Sequence, residues 1–322
     1  MVKVLHITNN YPTPNYPIFG IFVKEQINSL NDLGVNNDVF FMNTREGGKK
    51  EYLKSLFKLH TYFYHNKYDL IHCHHSYSSF IFLCSVTILG KKCILSYQND
   101  PKNEGGNLLF RILLLFFDKI ILKNKISGIK CDKIVYLPNG VDTNLFRPRD
   151  KSSCKKRLGL KENKKYIVFM DSYTRRTQKR IDRFNETIRI LREDYLLSEI
   201  EPLILTNTER SLIPYLLCAS ELHLLTSDFE GSPNSVKECL ACNVPVVSTP
   251  VGNVADLIGD IEGCFVSESF NPEELAELAS KTLRIKNFSS RGSLMEKGLG
   301  IKEVGLKLLE IYNELISNES HG

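Results

Sequence analysis

Short apolar runs rich in β-branched residues alternate along the chain with segments whose apolar positions recur every three or four residues. Residues 2–7 are the first such run. They close on the turn-prone Asn9-Asn10-Tyr11-Pro12 and read as a buried strand. Residues 20–33 read as a helix, with Ile21, Phe22, Ile27 and Leu30 on one side and Gly34 as its stop. The same reading gives strands at 38–42, 69–73, 93–97 and 133–137, helices at 50–65 and 80–89, and one largely buried helix over 108–122. Pro138-Asn139-Gly140 is a strong turn, and the polar stretch 147–151 predicts a linker. Beyond it the pattern restarts, with strands at 166–170, 202–206, 221–226, 244–248 and 263–266. Helices at 180–191, 235–241, 273–283 and 302–316 complete this second series. Strand–helix alternation forces right-handed crossovers and a mainly parallel sheet covered on both faces. The expected fold is therefore α/β, with two doubly wound, Rossmann-like domains over 1–148 and 149–300. A C-terminal helix, 301–322, is free to pack back on the N-terminal domain. Ligands of such sheets bind beyond the carboxyl ends of the strands, so the loops there carry the functional expectations.

Composition narrows the picture. The chain has 322 residues, 42% hydrophobic and 25% charged, as a folded globular protein does. No apolar stretch reaches the ~18–20 residues of a membrane span. The first ten residues lack the cationic start and apolar run of a signal peptide, which predicts a cytoplasmic protein. Nine cysteines without framework spacing predict reduced thiols. Cys239-x-x-Cys242 has no second pair at zinc spacing and reads as small buried side chains. The net charge of +5 is uneven, being +7 over residues 1–150 and −2 over the rest. A basic half, including Lys49, Lys50, Lys54 and Lys58, suits an anionic membrane surface, an acidic acceptor or nucleic acid, and equally an ordinary solvated face.

The loop after the first strand has no G-x-G-x-x-G, which removes the dinucleotide fingerprint of a dehydrogenase. It ends on Gly20, which opens a helix; a glycine there lets an anion approach backbone N–H groups, and it also serves as a plain turn. The third strand ends in His72-Cys73-His74-His75. Alternation puts His72 and His74 on one face and turns His75 away, leaving His74 at the tip. The stretch Ser227–Glu238 is the most informative. Gly231-Ser232 makes a turn, Pro233 suits the first helical position, and Glu230 and Glu238 stand roughly 10 Å apart at ~1.5 Å of rise per residue. Two carboxylates so spaced can each accept sugar hydroxyls while the helix N-terminus receives a diphosphate between them. An acidic turn followed by a solvated helix would give the same pattern.

The block Glu230-x7-Glu238 with the following Cys239–Val254 segment resembles glycosyltransferase family 4. Pro138-Asn139-Gly140-Val141-Asp142 to Pro148, Tyr68–His74 and the Gly20 loop are similar to other segments of that family, in the same order along nearly the whole chain. The resemblance implies a GT-B fold, with an acceptor-side N-terminal domain, a C-terminal domain binding the nucleotide sugar, and a catalytic cleft between them. It implies a retaining hexosyltransferase of polysaccharide biosynthesis that acts on a glycan or lipid-linked acceptor. No metal or other cofactor is expected, and the donor is UDP- or GDP-linked. Nucleic acid is not an expected partner; the charge of the N-terminal half, and that alone, adds peripheral contact with the inner face of an anionic membrane as an expectation.

Carried over by position, Glu238 would bind the ribose and Glu230 the donor hexose. Lys179 would pair with the diphosphate, and His74 would lie near the reacting centre. Gly20, Gly231, Ser232, Pro233, Asn234, Ser235 and Val236 would line the donor. Three departures stand out. Asp171-Ser172 replaces the usual Gly-Arg, for which Arg175 or Arg176 could substitute, or Lys179 could act alone. Tyr97-Gln98-Asn99-Asp100 replaces a His-Gly sequence, and Thr206-Asn207-Thr208-Glu209 replaces a glycine-rich loop bounding the base. Relatives of the teichuronic-acid type share Glu-Gly-Ser-Pro-Asn and also lack the arginine. Two rivals are a nucleotide-sugar epimerase on the same fold and a non-catalytic nucleotide-sugar-binding partner of another transferase.

Overall fold

The structure is a computed structural model that describes residues 2–85, 91–126, 131–171 and 177–317. It divides into two compact units, one of residues 1–15, 19–140 and 301–322, the other of residues 16–18 and 141–300. Each is a Rossmann-like α/β unit with an all-parallel sheet.

The first sheet has six strands in the order Asn36–Phe41, Lys3–Thr8, Leu70–His74, Lys92–Ser96, Lys119–Leu122 and Ile134–Tyr136. Alternation along its strands builds two cores. Leu5, Ile7, Ile71, Cys73 and Leu95 face helices Lys50–His65, Ser76–Ser85 and Gly106–Phe116. Val4, Leu70, Ile94 and Ile121 face the opposite side, where Ile21–Asp32 and the C-terminal helix Ile301–Ser317 pack. Both faces are covered, as a parallel sheet requires.

The second sheet has five strands in the order Phe265–Val266, Val246–Ser248, Leu222–Leu225, Lys165–Asp171 and Ile200–Thr206. Its neighbours Leu222–Leu225 and Lys165–Asp171 mark the point where the winding reverses. The described residues that follow their carboxyl ends, 177–180 and 226–233, flank the crevice where such sheets bind ligands.

Several sequence expectations are corrected. The helix expected over 108–122 is a helix, Gly106–Phe116, followed by a strand, Lys119–Leu122. An apolar run has no period that separates the two states. Asp118 breaks it, and its Oδ2 accepts the Cys93 N–H at 2.8 Å, fixing the start of the added strand. The stretch 147–151 is not a linker. Asp150 caps helix Lys151–Leu158 by accepting the Ser153 N–H at 2.7 Å, and the division between units falls earlier, after Gly140. Of the helix expected at 80–89, the structure gives Ser76–Ser85, and residues 86–89 lie outside the described residues. Short helices Ile213–Cys218, Val254–Ile258 and Arg291–Glu296 had no predicted counterpart. The nine cysteines are free thiols, with Cys239 and Cys242 inside the second unit's core.

Candidate functional site

The loops at the reversal point of the second unit are tied together by hydrogen bonds. The Thr226 hydroxyl donates to the Lys179 carbonyl at 2.9 Å, and the Asp228 N–H donates to the Gln178 carbonyl at 2.8 Å. Arg183 bonds the Thr226 carbonyl and, at 2.9 Å, Asp228 Oδ1. This lattice places Lys179 Nζ 2.5 Å from Glu230 Oε1, with both side chains largely buried. The same oxygen accepts the Ser227 hydroxyl at 2.7 Å, so Oε2 of Glu230 is the oxygen left for another donor.

Eight residues further on, Glu238 is 4% exposed and its Oε1 receives Arg210 Nη1 at 2.6 Å. The Arg210 guanidinium also lies over the Phe146 ring, 4.6 Å from its centroid. Each of the two carboxylates therefore already carries a cation.

Between them helix Asn234–Ala241 begins. Pro233 is its N-cap, with φ −66° and ψ 119°, and does not occupy the first helical position. Ser235 and Val236 turn their side chains inward. Val236 is core, and the Ser235 hydroxyl meets His223 Nε2 at 3.1 Å. The other His223 nitrogen, Nδ1, lies 3.0 Å from the Val168 carbonyl. A carbonyl only accepts, so Nδ1 carries the proton and Nε2 accepts from Ser235. Both residues thus offer a ligand their backbone amides. Asn234 Oδ1 is buried without a hydrogen-bond partner among the described residues. Lys237 is completely buried, with Nζ 3.2 Å from the Ser232 hydroxyl beneath this turn. A helix N-terminus with an added cation beneath it is an anion seat.

Gly252 fixes the height of the turn. Its φ is +54°, and a Cβ there would stand 2.2 Å from the Gly231 carbonyl oxygen. The next amide, Asn253 N–H, donates to that oxygen at 3.1 Å. Asp171 ends its strand buried; Ser172, Arg175 and Arg176 lie outside the described residues.

In the first unit the equivalent reversal lies beside Lys3–Thr8 and Leu70–His74. Gly20 has φ 65° and is the N-cap of Ile21–Asp32. A Cβ would lie 2.3 Å from the Asn10 carbonyl, so this glycine lets the loop close on its own backbone. His72 and His74 share a face, as alternation predicts, with ring centroids 4.2 Å apart. His6 joins them in register with His72, and its Nδ1 is 3.0 Å from His74 Nε2. His74 is 1% exposed, and its Nδ1 has no hydrogen-bond partner among the described residues. His75 turns away at φ 84°. Glu104 ties the strand tips together, accepting N–H groups of Ser76, Gln98 and Asn99 at 2.8–3.0 Å.

His6, His72 and His74 are the one group among the described residues with metal-ligand spacing, their nitrogens lying within 4.8 Å of one another. Both His72 nitrogens are engaged, with the Tyr312 hydroxyl at 2.6 Å and the Ser96 hydroxyl at 2.7 Å. No carboxylate joins the group, and the charge of buried Lys123 bears on it. The arrangement is read as a network of neutral imidazoles.

Burial sets the charge of these rings. It pushes His6, His75 and His223 down to about 4, and His72 and His74 well below the ordinary histidine range. A group with a depressed folded pKa contributes stability that is present above its unfolded pKa of 6.5. That stability is lost as pH falls toward the folded value, because the unfolded chain then binds more protons. Glu104 acts oppositely, since desolvation raises it to about 7 and its burial becomes easier as pH falls. Five rings outweigh one carboxyl. The unfolding midpoint is expected to fall on the order of 10 °C between pH 6.5 and pH 4.5; calorimetry at stepped pH checks this, and a flat profile would contradict it.

Residues 164–284 match the family described as Glycosyl transferases group 1. The chain is 24% identical over 316 residues to UDP-Gal:alpha-D-GlcNAc-diphosphoundecaprenol alpha-1,3-galactosyltransferase of Escherichia coli, covering 83% of this chain and 81% of that protein. Among solved structures it is similar to sucrose-phosphate synthase from Thermosynechococcus elongatus, at a TM-score of 0.77 and 13% identity over 99% of this chain and 100% of that one. It is also similar to Anabaena HepE in complex with UDP and glucose, at a TM-score of 0.67 and 14% identity over 97% and 99%. The fold is that of GT-B glycosyltransferases, and the matches support a glycosyltransferase.

Proposed function

We propose that this chain is a retaining glycosyltransferase of polysaccharide biosynthesis. It moves a hexose from a UDP- or GDP-linked sugar to a hydroxyl of a glycan or lipid-linked acceptor, without a bound metal. The observation that carries the reading is the pair of buried carboxylate–cation contacts, Lys179–Glu230 and Arg210–Glu238, on either side of the Asn234–Ala241 helix start. The relative from Escherichia coli is named for a UDP-sugar donor and a diphosphoundecaprenol-linked acceptor, and HepE was solved with UDP and glucose. Both names fit this class of substrate, and neither favours a non-catalytic partner.

In this reading Glu238 holds the ribose through its second oxygen, and the N–H groups of Gly231, Ser232, Asn234, Ser235 and Val236 receive the diphosphate, Pro233 having none to offer. As the bond from the anomeric carbon to phosphate breaks, the sugar gains oxocarbenium character and negative charge collects on the leaving oxygen. Lys179, the helix N-terminus and Lys237 below it stabilise that charge. Glu230 already accepts from Lys179 and Ser227, so it is placed to orient a sugar hydroxyl and is poorly placed as a free nucleophile. Gly20 and His74 are the first unit's residues assigned to the donor, His74 through its unpartnered Nδ1. Arg175 is assigned to the diphosphate.

The test is nucleotide release from a panel of UDP- and GDP-sugars with and without an acceptor mixture, followed by NMR of the product's anomeric centre. Acceptor-dependent release with retained configuration is expected. Donor isomerisation without acceptor, or release from no member of the panel, would contradict it.

A further inference from the structure

Three helices on one face of the first sheet leave a surface that the transfer reaction does not use. They are Lys50–His65, Ser76–Ser85 and Gly106–Phe116. They lie side by side: Phe63 meets Phe82 with centroids 6.0 Å apart, and Tyr52 meets Tyr77 at 6.4 Å. The Gly105 Cβ position falls between Leu109 and Ser76, which joins the third helix to the second.

Their outward faces are apolar to an unusual degree. Phe57 is 79% exposed, Leu108 and Leu115 are each 75% exposed, and Leu53, Phe116 and Phe80 are also open to solvent. No other helix among the described residues shows more than one large hydrophobic side chain this exposed. Gly106–Phe116 buries Phe110 and Leu113, yet its solvent side carries Leu108, Ile112, Leu115 and Phe116, with Asn107 and Arg111 as its polar members. A helix apolar all round is ordinarily covered on every side, and a contiguous exposed apolar patch marks an interaction site.

The charges say what covers it. Along Lys50–His65 the buried side is Ser55, Leu59 and Phe63. On the solvent side Lys50, Lys54 and Lys58 form one i, i+4, i+8 row, and Leu53 and Phe57 form the adjoining row. Glu51 is the one acid on the three helices, and Lys54 binds it at 2.6 Å. Lys49 precedes the lysine row and Arg111 is exposed midway along Gly106–Phe116, while Lys102 lies off the helices with its N–H on Asp100. A lysine row beside an apolar row, with the sole carboxylate neutralised, complements a surface that is anionic in its head groups and hydrocarbon beneath them. No helix among the described residues is long and apolar enough to cross a membrane, so the contact is with the surface.

We infer that this three-helix face docks on an anionic lipid bilayer, with Leu53, Phe57, Leu108 and Leu115 entering the acyl boundary and Lys50, Lys54 and Lys58 meeting the head groups. The inference stands apart from the identity of the sugar or acceptor. The full chain is floated with vesicles of phosphatidylglycerol and phosphatidylcholine at about 3:7, and with pure phosphatidylcholine, at low and high salt. At least tenfold stronger binding to the anionic vesicles is expected at low salt. Lys54→Glu with Lys58→Glu should remove that preference, and Phe57→Ser with Leu115→Ser should weaken binding at every salt concentration by at least tenfold. Unfolding midpoints and turnover of a water-soluble acceptor, both expected to stay within twofold or a few degrees of wild type, show that the variants are folded. Absence of anionic-vesicle binding would overturn the proposal. So would a lipid-free dimer, seen by light scattering, that Phe57→Ser with Leu115→Ser dissociates.

Discussion

Lys179→Ala is expected to lower donor turnover by about 10²–10³-fold, the scale seen when a preorganised group aimed at developing charge is removed. The Nζ is 2.5 Å from Glu230 Oε1 and its backbone carbonyl is held by Thr226, so little reorganisation is needed for it to face a leaving diphosphate. Its loss also leaves Glu230 in a mostly buried place with Ser227 as its remaining partner. Breaking one side of a buried pair is costly to the fold, so the variant needs a folding control. Glu230→Gln supplies the complementary case, because the amide keeps the shape and a hydrogen bond while the charge is gone. It is expected to reduce kcat by about 10–10²-fold, with a smaller change in stability than Lys179→Ala. Steady-state kinetics with the best donor, beside thermal unfolding of each variant, checks both. Turnover unchanged in either folded variant would remove that residue from the mechanism.

Gly252→Ala is expected to lower stability on the order of 3 kcal/mol and to weaken donor affinity at least tenfold. Alanine at φ +54° costs about 1–2 kcal/mol by itself. The added carbon would also stand 2.2 Å from the Gly231 oxygen and 2.9 Å from the Glu230 oxygen, and both are backbone atoms that cannot swing aside. The turn bearing Glu230 must shift, and the amides after Gly231 shift with it. Gly159→Ala is the control: φ is +67°, but a Cβ there meets nothing within 4 Å. It should show the conformational cost alone and leave donor affinity intact. Thermal unfolding and nucleotide titration of both variants distinguish the cases; a Gly252→Ala protein matching Gly159→Ala in both would contradict the packing argument.

The strand–helix alternation was legible because buried parallel strands and amphipathic helices leave different periods. It failed at 108–122, where apolar residues fill both a helix and the next strand and only Asp118-Lys119 mark the change. Among the candidate residues, Glu230 and Glu238 stand out by spacing alone, whereas Lys179 could be picked only through resemblance to a family. Arg210 carried no local signal. It follows a loop unlike the family's, and the fold alone brings it to a carboxylate 28 residues away. Lys237 reads as a solvated helical lysine until its burial under Ser232 is seen. The partnership of His6 with His72 and His74 depends on strand register, which no single segment encodes.

The most direct measurement is a crystal structure of the chain soaked with UDP and with GDP. The account predicts phosphate oxygens within about 3 Å of backbone N–H groups among Gly231, Ser232, Asn234, Ser235 and Val236, ribose hydroxyls on Glu238, and Lys179 within reach of the terminal phosphate. A nucleotide seated elsewhere in the second unit, with the Lys179–Glu230 and Arg210–Glu238 contacts undisturbed and the helix start empty, would contradict it.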